Sequence, residues 1–179
     1  SGPGAVDATY TVPPNGKRAE VDAVIDLGAA SLACAEADWT KPPHVPASAR
    51  LVVALADDTM VGIPRIDIKA PGLDGKFAVA LSPDEHRIDH VDIRRLVVGD
   101  NDIGGVVRRR PAGGWQAELH GARLNLHHLL KHALEADKPD NPTTPLAIDV
   151  RIARLLLGPH REARDVSASL LRDRGEWQS

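Results

Sequence analysis

The chain has 179 residues, enough for one domain with a core or for a slice of a larger repeat structure. Charged residues make up 26% and the formal net charge is −3, which excludes the basic footprint of a nucleic-acid-binding protein. Cys34 is the one cysteine, so no intrachain disulfide is possible, and no run of about 18 apolar residues is present to span a bilayer. The lone cysteine leaves the compartment open, and no signal peptide is visible. Three Trp, one Tyr and one Phe are the only rings, so the apolar content is almost all Ala, Val, Leu and Ile. Such an aliphatic set suits a packed core, and equally a surface that meets hydrocarbon chains.

Residues 5–12 have strand propensity and run into the turn signal Pro13-Pro14-Asn15-Gly16. From 18 to 27, Ala19, Val21, Ala23 and Ile25 alternate with Arg18, Glu20, Asp22 and Val24, the period of a half-buried strand. Leu32, Cys34 and Ala35 are expected to continue that sheet after Gly28. The stretch from Trp39 to Pro46 is interrupted by prolines and reads as a loop. Leu51, Val53 and Leu55 alternate up to an Asp57-Asp58 turn. Val61 and Ile63 return, Pro64 shifts the phase, and Ile66 and Ile68 carry on, the signature of a bulge or an edge.

Pro71-Gly72 turns the chain into Phe77, Val79 and Leu81. Ser82 to Glu85 is a further turn, and Ile88, Val91 and Ile93 follow. The stretch from Arg95 to Gly121 then reads as two or three strands: an apolar run ending at Gly99, a strand from Ile103, an arginine cluster, and a Gly113-Gly114-Trp115 turn into Ala117–Leu119. Strands at intervals of about eight to twelve residues argue for an antiparallel all-β meander. The expected fold is therefore mainly β, a long meander forming a curved sheet or half-open groove, in a single domain over 1–179.

One segment departs from this. Leu126, Leu129, Leu130, Ala133 and Leu134 fall at helical spacing, with His127, His128, Lys131, His132 and Glu135 opposite, and Asn125 is placed as an N-cap. The spacing predicts an amphipathic helix over 125–136, followed by a proline-rich loop over 137–145. Leu146, Ile148, Val150 and Ile152 form another alternating strand. The frame of the Arg95 stretch then recurs as Arg154 to Gly158, Val166 to Leu171, and Gly175-Glu176-Trp177-Gln178. Because the second copy stops at its Trp turn, the chain is expected to be a fragment of a longer repetitive protein.

Few residues form a reactive constellation. His128 and His132 are four apart on the predicted helix and could face one ion, but the run lacks the Glu of a zincin and a third ligand, so a solvated polar face accounts for them. Asp100-Asn101-Asp102 lacks an EF-hand pattern. No Gly-x-Ser-x-Gly elbow and no Walker loop occur. Cys34 sits among alanines as a small packing residue. Arg108-Arg109-Arg110 reads as a solvated hairpin end that could also touch lipid phosphates. Trp39, Trp115 and Trp177 are placed as caps on the sheet ends. No enzyme, cofactor or metal site is expected.

The alternating aliphatic strands carry a resemblance. Pro71-Gly72-Leu73-Asp74-Gly75, Val91-Asp92-Ile93, Leu96-Val97-Val98-Gly99, Gly113-Gly114-Trp115 and Leu124 to Leu130 resemble the AsmA-like proteins of Gram-negative bacteria, the group that includes YhdP and, more distantly, TamB. The tail phrases Leu146 to Val150, Leu155 to Gly158, Asp165-Val166 and Trp177-Gln178 resemble them most. The resemblance implies a large periplasmic protein held in the inner membrane by an anchor outside this segment, with a long β-groove that binds or bridges lipids between the two membranes. It implies no catalytic residue, and lipid, not nucleic acid, as partner.

The candidate lining residues are Val53, Leu55, Val61, Ile63, Ile66, Ile68, Val79, Leu81, Val91, Ile93, Val98, Leu119, Ile148, Val150, Ile152 and Val166. The same residues would serve a closed core beneath helix 125–136. A structural scaffold acting through its sheet edges is the other function class these strands allow.

Overall fold

The computed structural model describes residues 4–14, 18–83, 87–127, 144–158, 160–173 and 176–178. Its strands are β1 (Ala5–Thr11), β2 (Arg18–Asp26), β3 (Leu32–Cys34), β4 (Trp39–Lys41), β5 (Ser48–Ala56), β6 (Thr59–Ala70), β7 (Leu73–Leu81), β8 (Ile88–Val98), β9 (Asn101–Arg109), β10 (Trp115–Asn125), β11 (Leu146–Gly158), β12 (Arg161–Asp173) and β13 (Glu176–Gln178). Eleven of them hydrogen-bond in the order β1-β2-β5-β6-β7-β8-β9-β10-β11-β12-β13. The outermost strands do not meet, so the sheet is open, and it is not strongly curled.

Turn chemistry sets the hairpins. Asp57 and Asp58 both have positive φ (49° and 60°), the backbone of a type I′ turn whose twist matches β5 and β6. Gly72, at φ 72°, takes the corner after Pro71 that an L side chain resists. The phase shift at Pro64 is a bulge within β6, since register slips between Ile63 and Ile66 against β7. That placement lets a proline occupy an interior strand, because the bulge frees its position from the ladder. A second bulge in β8 lets Ile93 and Leu96 point the same way, with Arg94 and Arg95 between them: Ile93 pairs Phe77, and Leu96 pairs Gly75.

The repeated frame of the sequence falls on β8–β9–β10 and again on β11–β12–β13, each an antiparallel run of three. Between the two runs the meander breaks. β10 and β11 are parallel, with Trp115 opposite Leu146 and Leu119 opposite Val150. The connection over 126–145 returns the chain to the end where β10 began, which a tight turn cannot do.

Two other expectations are corrected. Leu32 and Cys34 do not extend the main sheet; β3 pairs only with β4, in a separate two-stranded hairpin. The loop expected from Trp39 therefore begins at Pro42, after β4. No α-helix is present among the described residues. Asn125 ends β10, and its Oδ1 accepts the His127 N–H at 2.9 Å, the bond an N-cap makes. The rest of the helix predicted over 125–136, and the loop predicted over 137–145 up to Thr143, lie outside the described residues, as do Asn15 and Gly16 of the first turn, and Asp84 and Glu85.

The β3–β4 hairpin plugs one end of the sheet. Trp39 is buried and its Nε1 donates to the Pro71 carbonyl at 2.9 Å, over Gly72. Lys41 is 2% exposed, and its Nζ donates to the carbonyls of Gly28 (3.2 Å), Ala30 (2.6 Å) and Pro42 (3.1 Å). A lysine buried this deeply is tolerable because three main-chain dipoles replace its hydration. Nearby, Asn101 ties two strand ends together: its Nδ2 donates to Val98 O at 3.2 Å and its Oδ1 accepts Asn125 N–H at 2.7 Å.

Candidate functional site

Paired residues of neighbouring strands project from the same face, so the register assigns every side chain to a side. One row crosses from β1 to β12 as Ala8, Ala23, Leu51, Ile66, Phe77, Ile93, Gly105, Leu119, Val150 and Ala168. An adjacent row on the opposite face runs Asp7, Val24, Arg50, Asp67, Lys76 and Arg95. The sheet thus has an aliphatic side and a charged side.

The charged side is laced with ion pairs. Arg50 is bonded to Asp22, Arg65 lies 2.6 Å from Asp67, and Arg108 lies 3.4 Å from Glu118. Glu162 holds both Arg154 (2.7 Å) and Arg164 (2.8 Å). These hydrogen bonds draw the Asp22 and Glu162 carboxyls below the usual carboxylate range. All these groups face solvent, where such pairs contribute little stability.

Fifteen of the sixteen candidate lining residues, Val61 excepted, fall on the aliphatic side. Val53, Leu55, Ile63, Ile66, Ile68, Val79, Leu81, Val91, Ile93 and Val98 occupy β5 to β8, and Leu119, Ile148, Val150, Ile152 and Val166 continue it across β10 to β12. Val61 is the exception. It sits at the register slip opposite Ala54 and Leu55, pairs with neither, and is 44% exposed. The side also includes residues outside that set: Val21, Leu51, Phe77, Leu96, Ile103 and Val107. Phe77, the chain's only phenylalanine, lies over Gly75, where a Cβ would meet its ring.

Among the described residues this side is largely without a covering layer. Of the candidate residues only Val98 (5%) and Ile152 (2%) are buried; the others are half-buried apart from exposed Val61. Val98 lies at the end that the β3–β4 hairpin plugs. Ile152 lies between Gly121 and Val166 in its row. Among the described residues no second layer of structure lies across the middle of the face.

The opposite end of the aliphatic side has a different rim. There one row reads Arg109, Trp115, Leu146 and Arg172. The Arg109 guanidinium lies 5.9 Å from the centre of the Trp115 ring, a cation–π distance. Arg172 is half-buried and donates to the Thr144 carbonyl at 3.4 Å. No Asp or Glu occupies the four rows of the aliphatic side that run from Arg109–Arg172 to Ile103–Val166 across β9 to β12. Asp89, at the slip beside Ile88, bonds His90 at 2.9 Å.

No group of metal-ligating side chains is present among the described residues, and the His128–His132 pair lies outside them. Cys34 is half-buried and forms no disulfide. Arg108 and Arg109 are exposed at the hairpin end as expected, Trp39 and Trp115 cap opposite ends, and the Trp177 side chain lies outside the description. No protein family, curated protein or solved structure matches this chain.

Proposed function

We propose that the aliphatic side of the sheet holds the hydrocarbon of a lipid. In this reading the chain is a non-catalytic lipid-binding or lipid-transport segment of a periplasmic, AsmA-like envelope protein whose membrane anchor lies elsewhere. The observation that carries it is the half-buried aliphatic surface, without a second layer among the described residues, continuous from β1 to β12 and backed by a face of paired charges. Each methylene removed from water on it contributes about 0.8 kcal/mol, so an acyl chain of a dozen carbons needs no specific polar contact to bind. A surface of this kind calls for no acid, base or metal.

Native mass spectrometry of the purified protein, together with titration by a fluorescent fatty acid, tests the reading. The expected result is co-purified phospholipid or another acyl lipid, and saturable uptake of the probe. A protein that carries no lipid and takes up no probe would sink it.

A second reading, a scaffold joining protein partners through its sheet edges, draws on β1. All seven of its residues are exposed, Val6 at 64% and Tyr10 at 58%, and no Lys, Arg or Pro guards it. Pairing through this edge would give concentration-dependent association, abolished by Ala8→Pro, with no lipid bound.

A further inference from the structure

We infer that β1 is the seam of a two-fold dimer, pairing antiparallel with β1 of a second copy of this chain about Ala8; the inference rests on the edge reading above and adds the partner and the register. Among the described residues the sheet is open on both sides, and its two edges differ. On one side β13 pairs only with Leu171–Asp173, which leaves the rest of β12 as the edge. That stretch carries Arg161, Glu162, Arg164 and Asp165, and Asp165, at φ 50°, breaks the extended backbone. Charges and kinks of this kind keep an edge from pairing. β1 has no such guard. All seven of its residues are exposed, Asp7 is its only charge, and no positive φ interrupts it.

The strand is self-complementary in one register. Outward-pointing N–H and C=O groups recur on every second residue, so two identical antiparallel strands pair about a residue that faces its own copy. With Ala8 on the axis the whole strand is used: Ala5 meets Thr11, Val6 meets Tyr10 and Asp7 meets Thr9 of the second copy. Val6, Ala8 and Tyr10 project on the aliphatic side, where Val6 (64% exposed) and Tyr10 (58%) cover each other across the seam. A ring against a β-branched side chain is a favourable cross-strand pair. Moving the axis to Asp7 sets two like carboxylates face to face, which opposes pairing. Moving it to Thr9 brings Pro13, which has no N–H, against Ala5. The axis stands perpendicular to the sheet, so the aliphatic sides of the two copies become one continuous surface. A single edge strand makes a small interface, and the dimer is correspondingly weak.

Sedimentation velocity on the full chain, with disulfide trapping, tests this. Wild type is expected to be monomeric near about 1 µM and increasingly dimeric toward about 100 µM. Thr9→Asp leaves the backbone alone but sets carboxylates opposite Asp7 at two places in the seam, and is expected to weaken the dimer by about tenfold. Adding Asp7→Lys to Thr9→Asp is expected to restore it, because each new pair is then of opposite charge. In a Cys34→Ala background, Ala8→Cys is expected to form a disulfide-linked dimer under mild oxidation, since residues facing each other lie about 4.5–5.5 Å apart between Cα atoms. Val6→Cys is expected to form none, because its two copies are separated by four residue steps, roughly 14 Å.

A chain that stays monomeric across this range would overturn the inference and the edge reading together. A dimer that Ala8→Pro abolishes but Thr9→Asp does not weaken, or that Val6→Cys traps and Ala8→Cys does not, would overturn the Ala8 register and leave the edge reading standing. A dimer indifferent to both Ala8→Pro and Thr9→Asp would place the interface elsewhere and overturn the inference. A dimer that behaves as expected and also takes up a fluorescent fatty acid supports the inference and removes the lipid-free scaffold.

Discussion

Ile152 and Ile93 lie on the same side of the same sheet, yet they should respond very differently to truncation. Ile152 is 2% exposed, between the side-chain-free Gly121 and Val166. Replacing it with Ala removes three buried carbons and leaves a gap that a flat sheet cannot close, at a cost of about 2–5 kcal/mol. Ile93 is half-buried, with Phe77 and Gly105 beside it. Full burial of such a side chain is worth about 1.5–3 kcal/mol, so half of it, with no enclosed cavity, gives about 1 kcal/mol. Urea unfolding followed by far-ultraviolet circular dichroism would read both, with Ile152→Ala expected to lose at least twice as much stability as Ile93→Ala. The Ile93 variant should weaken uptake of a fluorescent fatty acid all the same. Equal losses of about 3 kcal/mol would refute the reasoning, because they would mean that Ile93 is covered in solution and that the aliphatic side is a closed core.

Two further outcomes follow from polar groups. Lys41→Met keeps the stem that packs in the hairpin but leaves the carbonyls of Gly28, Ala30 and Pro42 without their donor, so thermal unfolding should fall by about 2–4 kcal/mol worth of stability, with Lys41→Arg intermediate. Stability should also decline in acid. The carboxyls of Asp22 and Glu162 are drawn down by hydrogen bonds from Arg50 and from Arg154 and Arg164, so their contribution is complete above the ordinary carboxylate pKa of about 4 and is lost as pH drops through the lower folded values. Both groups are solvent-facing, so the effect is small, and Glu162→Gln should flatten its share of the slope in urea titrations between pH 5 and pH 2, roughly the carboxylate range. An unchanged slope in that variant would mean the pairs with Arg154 and Arg164 do not persist in solution.

Much of the sheet was legible because period-two patterning depends only on neighbours along the chain. Ala19 to Ile25, Leu51 to Leu55 and Leu146 to Ile152 each declared a strand and its apolar side. Gly and Pro marked most turns, and Pro64 announced a bulge that the register carries. What patterning within one strand cannot supply is the phase between strands. Val61 was placed with its neighbours by alternation, yet a slip beside it takes it out of the pairing. Leu32 and Cys34 have the same short-range look as a main-sheet strand, and only the packing of Trp39 and Lys41 explains why they fold aside as a plug. Arg172 drew no notice because a lone arginine late in a strand looks like any solvated residue until its row is known.

By itself, then, the sequence determined that this is a chain of long aliphatic strands with glycine and proline corners, since those preferences are set by local sterics and by the two-residue repeat. Tertiary structure decided the rest. The parallel pairing of β10 with β11 follows from where the connection over 126–145 delivers the chain, which no local preference encodes. The choice between a closed core and an open face depends on whether a second layer exists, and the same alternating residues serve either. The gathering of Arg109, Trp115, Leu146 and Arg172 into one rim requires the register of four strands at once, a relation between residues more than sixty positions apart that only hydrogen-bonded pairing can fix.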